Sequence, residues 1–221
     1  MGELAALAGW AVDLILHLDL HLADLVNKYG WQTHLILFAV IFWETGVVIW
    51  PFLPGDSLLF AAGSIAALPD SKLHIGFLFL LLSSAAIIGD TLNYWIGHWF
   101  GPKAFNRDGR FLKKKYLDKT AAFYDKYGAQ TIVIARFVPI VRTFAPFVAG
   151  IGRMPYRRFI FFNVAGAVLW NFLLLGAGYL FGGLATVKNN FSLVILAIIL
   201  LSCLPMAVEF FKFKMDKKQV G

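Results

Sequence analysis

The sequence predicts an all-α integral membrane protein, with transmembrane helices and two oppositely oriented re-entrant helical hairpins arranged as an inverted repeat. Three observations lead there. Of 221 residues, 59% are hydrophobic and 15% charged, with a mean hydropathy of +0.71; a soluble domain is nearer half apolar and a quarter charged. Two apolar runs are interrupted by proline and glycine: 42–63 at Pro51, Pro54 and Gly55, and 131–151 at Pro139, Pro146 and Gly150. The same runs carry opposite charges, Glu44 and Asp56 in the first and Arg136 and Arg142 in the second. An ionised side chain at membrane depth costs on the order of 3 kcal/mol or more unless it is paired or wetted, so such residues mark functional sites.

The first 30 residues read as a separate amphipathic helix lying in the membrane interface. Asp13, His17 and Asp24 fall near one face, with His21 one turn after His17. That stripe reads first as a solvated polar face; two histidines at i, i+4 are also a spacing that can share a metal ion. Residues 33–49 are apolar except for His34, Glu44 and Thr45, and the helix is expected to end near 50–55, where two prolines and a glycine remove ladder bonds. A second apolar piece, 58–68, follows. Neither piece spans a bilayer comfortably, so 33–68 is predicted to be a re-entrant hairpin. Irregular backbone at that depth is tolerated only inside protein or lining a cavity. Asp56 stands near the N-cap of the returning limb.

Residues 73–100 read as a transmembrane helix containing Gly89, Asp90, Asn93, Tyr94 and Gly97. Asp90 is a third candidate acid, either a proton-coupling partner of the charged site or a hydrogen-bonding group toward a neighbouring helix. The connector 103–126 is rich in Lys and Arg and is expected on the cytoplasmic side. The arginine-bearing run, 128–152, is followed by Arg153, Arg157 and Arg158, so it enters from the cytoplasm and returns there as a second hairpin. Residues 159–183 span again, carrying Asn163, Trp170 and Asn171. A C-terminal helix in 186–211 leads to a basic cytoplasmic tail, 212–221. Traced back by charge, the first hairpin enters from the outer side. The central membrane domain is then 31–185.

The excess of 20 basic over 13 acidic residues gives a net charge of +7. It is clustered between apolar segments, which fits the positive-inside rule; no nucleic-acid partner is expected, since no base-stacking platform accompanies the lysines. The lone cysteine, Cys203, excludes an internal disulfide and a cysteine-based metal cluster. No cleavable signal peptide is expected, because the N-terminus lacks a basic region and carries acids in its apolar stretch. Inverted repeats of broken helices with a midplane site are a recurrent plan of secondary transporters. Tips meeting at mid-bilayer would bring Glu44 and Asp56 toward Arg136 and Arg142.

The carrying motifs are Glu44 with Pro51-x-x-Pro54-Gly55-Asp56, Gly89-Asp90-x-x-x-Tyr94-x-x-Gly97, and Arg136-Phe137-x-Pro139-x-x-Arg142-x-x-x-Pro146-x-x-Ala149-Gly150. On these residues the chain resembles the bacterial DedA family of inner-membrane proteins, related to eukaryotic VTT-domain lipid scramblases. The resemblance covers about 30–185. It implies a role in membrane and envelope homeostasis, with members tied to return of undecaprenyl phosphate across the membrane and to the proton motive force. It also implies an essential acid pair at Glu44 and Asp56 and an essential arginine pair at Arg136 and Arg142.

The expected function is therefore a flippase for a phosphate-bearing lipid, either undecaprenyl phosphate or an anionic phospholipid. An arginine fork matches phosphate oxygens bidentately. Burial and a neighbouring arginine act oppositely on a carboxylate's protonation, so Glu44 and Asp56 are expected to couple a proton to release of the arginines. No cofactor is expected beyond protons as coupling ion, no metal is expected at the charged site, and no catalytic residues are assigned. His74 and His98 lie near the ends of helix 73–100, and no Ser-His-Asp spacing or metal-binding acid cluster accompanies the arginines. Three alternatives stand beside this reading: a passive scramblase, a proton-dependent transporter of a small solute or cation, and buried ion pairs that only hold the hairpin tips together. Gly176, Gly178, Gly182 and Gly183 permit close helix packing, internal or in a homodimer.

Overall fold

The computed structural model describes residues 17–46, 55–105 and 128–202. Asp13, Pro51, Pro54, the connector 106–127, Cys203 and the lysine tail lie outside the described residues. The helices, in order, are α1 (Leu18–Tyr29), α2 (Thr33–Gly46), α3 (Gly55–Ala66), α4 (Ile75–Phe105), α5 (Thr131–Ala135), α6 (Pro139–Ile151), α7 (Tyr156–Phe181), α8 (Ala185–Asn189) and α9 (Phe191–Ser202). No strand occurs among the described residues.

Helix α1 buries Leu18, Leu22 and Val26, one per turn, and packs on α3. It ends at Gly30, whose φ of +56° is a left-handed conformation suited to glycine. A short 3₁₀ turn, Gly30–Gln32, leads into α2, and the Thr33 hydroxyl donates to the Leu25 carbonyl at 3.1 Å.

Length separates the helices into two kinds. The 26-residue stretches 75–100 of α4 and 156–181 of α7 are long and apolar enough to cross a membrane. At ~1.5 Å per residue each reaches about 39 Å, beyond the ~30 Å hydrocarbon core. By contrast α2, α3 and α6 have 14, 12 and 13 residues, about 18–21 Å each, too short to cross unaided. The short helices lie on the long ones in a crossed pattern. Helix α3 packs on α7, and α6 packs on α4.

Glycines set how close these pairs come. A Cβ at Gly63 would strike the Leu175 carbonyl, and one at Gly178 the Phe60 carbonyl. On the other side, a Cβ at Gly97 would strike the Phe147 carbonyl, and one at Gly150 that of Tyr94. Each interface is thus backbone against backbone, held by dispersion and close packing as membrane helix pairs are. The main core, with Leu37, Ile41, Leu59, Leu78, Leu82 and Leu175, fills the space between α2, α3, α4 and α7.

The second broken run is interrupted at 136–138, ahead of Pro139. Val138 is extended, as the residue before a proline prefers, and Pro139 opens α6, where its missing N–H costs nothing. Pro146 and Gly150 do not break the chain as their residue types suggest: both lie inside α6. Pro146 still removes the ladder bond to the Arg142 carbonyl. One residue on, the Thr143 carbonyl takes a bond from Asn93 Nδ2 at 2.6 Å. The turn into α7 closes with Met154 N–H on the Ala149 carbonyl, and Arg153 at φ +54° occupies its left-handed position.

Candidate functional site

The charged residues converge where α2, α3, α4, α6 and α7 meet. Glu44 lies in the last turn of α2 and Asp56 in the first turn of α3, so the ends flanking the first interruption deliver both acids. Arg136 ends α5 and Arg142 lies in the first turn of α6, on either side of the second interruption. A continuous helix would splay residues six apart by about 120°; the extended backbone at Val138 resets that relation.

Arg142 spans two acids. Its Nη2 donates to Glu44 Oε1 at 2.5 Å and its Nη1 to Asp56 Oδ1 at 2.7 Å. Arg136 is held elsewhere, by the Asp90 carboxylate from α4 and by Asn163 Oδ1 from α7 at 2.6 Å. The expected gathering of the two acids and two arginines occurs, but their pairing differs from a simple two-against-two arrangement. Both acids of the first run fall to Arg142, and Asp90 serves Arg136. The reason is geometric: α4 runs beside α6 and α7 and presents Asp90 at the level of the break.

Trp170 joins the two pairs. Its ring lies 4.8 Å from the Arg142 guanidinium and 5.8 Å from that of Arg136, and its Nε1 donates to Asp56 Oδ1 at 2.9 Å. Asn163 and Trp170 are two turns apart on α7 and face the same way. Asn163 also donates to the Ile87 carbonyl at 3.1 Å, fixing its amide. Asn93 donates to the carbonyls of Thr45 at 3.2 Å and Thr143 at 2.6 Å, so one α4 side chain ties the end of α2 to α6. Ser202, at the end of α9, donates to Asp56 Oδ2 at 2.7 Å. The sequence alone places Asn93, Asn163 and Trp170 on their helices without a role and does not single out Ser202. For α7 a signal exists, since Asn163 and Trp170 form a polar stripe at helical spacing. Ser202 gives none, being a single hydroxyl in an apolar helix.

Gly55 is fixed by the same site. A Cβ there would overlap the Glu44 carboxylate, so only glycine lets α3 begin against that acid. Glu44, Asp90, Arg136 and Arg142 are buried; Asp56, with 13% of its side chain exposed, is the most accessible of the five. Three carboxylates face two guanidinium groups, so with every group ionised the cluster holds one surplus negative charge. Four of its atoms have no hydrogen-bond partner among the described residues: Glu44 Oε2, Asp90 Oδ1, Arg136 Nη1 and Arg142 Nε.

Other candidates lie apart from this cluster. His98 sits among aromatic rings, 6.0 Å from Tyr94 and 5.3 Å from Trp95 by ring centroids, and the Tyr94 hydroxyl donates to the Met154 carbonyl at 2.5 Å. Among the described residues no group of three or more His, Cys, Asp or Glu side chains is placed to hold a metal.

Comparison with known proteins identifies the family. The VTT domain signature matches residues 53–180. The chain is 52% identical over 204 residues to protein DedA of Escherichia coli (strain K12), covering 92% of this chain and 93% of that one. It is 43% identical over 174 residues to an uncharacterized membrane protein of Mycobacterium tuberculosis, covering 78% and 76%. The inner membrane protein YghB of Escherichia coli is 32% identical over 182 residues, covering 82% and 79%. No solved structure matches. With the VTT signature over more than half its length and relatives at this identity and coverage, the chain belongs to the DedA family of VTT-domain membrane proteins.

Proposed function

We propose that the chain is an inner-membrane transporter of a phosphate-bearing lipid, driven by proton uptake at its acid–arginine cluster. One observation carries the reading: buried guanidinium donors, Arg136 Nη1 and Arg142 Nε, have no acceptor among the described residues. A purely structural ion pair in an apolar setting is expected to satisfy its buried donors, because each one left over costs about 1–3 kcal/mol. A phosphate offers several acceptor oxygens and matches the arginine fork. In the proposed cycle Glu44 and Asp56 hold Arg142, and Asp90 holds Arg136, while no lipid is bound. Protonation of an acid weakens its hold, and the freed guanidinium takes the headgroup while the lipid tail stays in the bilayer. The surplus negative charge supports proton uptake by the cluster, since an uncompensated buried charge is costly.

The same proposal includes the topology. Helices α2 with α3, and α5 with α6, form two re-entrant hairpins that enter from opposite sides and bear the charges at their tips. The crossed packing of α3 on α7 and α6 on α4 supports an inverted repeat. The relative named an inner membrane protein supports the location, and the basic residues of the tail support a cytoplasmic C-terminus. A second reading draws on the charge imbalance alone: a site with three acids and two arginines also suits proton-dependent passage of a small cation. Transport of labelled undecaprenyl phosphate and of a phospholipid headgroup in proteoliposomes, with and without an imposed pH gradient, tests the first reading. Headgroup flux that responds to the gradient supports it. Cation flux without headgroup flux favours the second.

A further inference from the structure

Asp56 is the most heavily bonded acid of the cluster. Its Oδ1 accepts from Arg142 Nη1 at 2.7 Å and Trp170 Nε1 at 2.9 Å, and its Oδ2 accepts from Ser202 Oγ at 2.7 Å. The three donors come from α6, α7 and α9. Glu44 and Asp90 each keep one carboxylate oxygen without a hydrogen-bond partner among the described residues. The difference matters when Arg142 turns to another anion. A buried carboxylate that loses its guanidinium is strongly destabilising. Asp56 would keep two neutral donors, and an indole N–H can only donate.

We infer that Trp170 and Ser202 are positioning residues that hold Asp56 as a carboxylate while Arg142 is engaged with a phosphate group, so that the exchange leaves no orphaned acid. The inference rests on the lipid-phosphate reading. It also extends the site past the C-terminal boundary of the VTT segment 53–180, as Glu44 does past the other boundary, because Ser202 belongs to the C-terminal helix. Trp170 has a second part in the exchange. Its ring, 4.8 Å from the Arg142 guanidinium, gives that cation a fixed surface while its hydrogen-bond partners change.

The test is a mutant cycle read by binding. Calorimetry measures dodecyl phosphate binding to the detergent-solubilised full chain, for wild type, Trp170→Phe, Ser202→Ala and the double variant. Each is also made in an Asp56→Asn background, thermal unfolding is recorded for all, and inorganic phosphate is run as a parallel ligand. Phenylalanine keeps a ring against the guanidinium groups and lacks the N–H. Each single substitution is expected to weaken dodecyl phosphate binding about tenfold, the scale of one hydrogen bond to a charged group. In the Asp56→Asn background the same substitutions should change affinity by less than about twofold, since no charge needs holding. Lower unfolding temperatures with unchanged affinity of the folded protein would reveal a merely structural role and overturn the inference. Should Trp170→Phe not fold, Ser202→Ala completes the cycle alone. Equal binding of inorganic phosphate with the same cycle supports the positioning role and assigns a free-phosphate ligand. Wild type that binds neither ligand overturns the phosphate reading and this inference with it. Wild type that binds while every variant binds equally overturns this inference alone.

Discussion

Arg142→Lys separates a phosphate fork from a structural tie. Arg142 spans Glu44 at 2.5 Å and Asp56 at 2.7 Å with two different nitrogens while lying 4.8 Å from the Trp170 ring. A lysine keeps the positive charge but presents a compact ammonium, which cannot reproduce the planar fork. Losing one charge-assisted bond is worth about 1.5–3 kcal/mol, equivalent to a loss of about 10- to 150-fold at 1.4 kcal/mol per tenfold. Headgroup flux in proteoliposomes should therefore fall at least about tenfold, with the fold retained because the cluster keeps its charge. Arg142→Ala is less informative, since it strands Glu44 and Asp56 and costs about 3–5 kcal/mol. A better companion is the triple variant Arg142→Met, Glu44→Gln, Asp56→Asn, which removes the charges together. It should fold and fail to transport. Wild-type flux from folded Arg142→Lys and from the triple variant would refute the reasoning and leave the arginine as a tie between helix ends.

Other substitutions probe the surroundings of the cluster. In Gly55→Ala the new methyl would overlap the buried Glu44 carboxylate and push it off Arg142; thermal unfolding should show a cost of about 3–5 kcal/mol, the scale of a broken buried pair, and wild-type stability would contradict the placement of Glu44. Gly63→Ala drives a methyl into the Leu175 carbonyl and should cost about 1–3 kcal/mol by forcing α3 off α7. Gly176→Ala has open space around it, so its unfolding temperature should match or exceed that of wild type. Asn93→Leu removes bonds to the carbonyls of Thr45 and Thr143 and should cost about 1–3 kcal/mol in thermal unfolding; no loss would mean that those carbonyls find other donors. Glu44→Gln removes the surplus negative charge, and its headgroup flux should no longer respond to an imposed pH gradient; a full response would exclude Glu44 from the coupling.

Much of this is legible in one sequence, because charges inside apolar runs are costly enough to be informative by themselves. Glu44, Asp56, Arg136 and Arg142 stand out in the residue order alone, and the long helices are visible as uninterrupted apolar stretches. Partner choice is not legible, since it depends on how α4 lies against α6 and α7. Nothing in the local sequence of Asp90 says that it holds Arg136 and that both other acids fall to Arg142. Prolines mislead in one respect: Pro139 marks an interruption, whereas Pro146 is absorbed within α6. Trp170 shows locally only as a member, with Asn163, of a polar stripe on α7, and its role comes from the two guanidinium groups beside its ring.

The central claim is that the guanidinium groups of Arg136 and Arg142 exchange carboxylate partners for a lipid phosphate. Native mass spectrometry of lipids retained by the purified full chain tests it most directly. Wild type should carry anionic phosphate lipids, and Arg136→Ala and Arg142→Lys, once confirmed as folded, should lose them while keeping zwitterionic and neutral lipids. The same anionic phosphate lipids at the same occupancy in all three proteins would contradict the account.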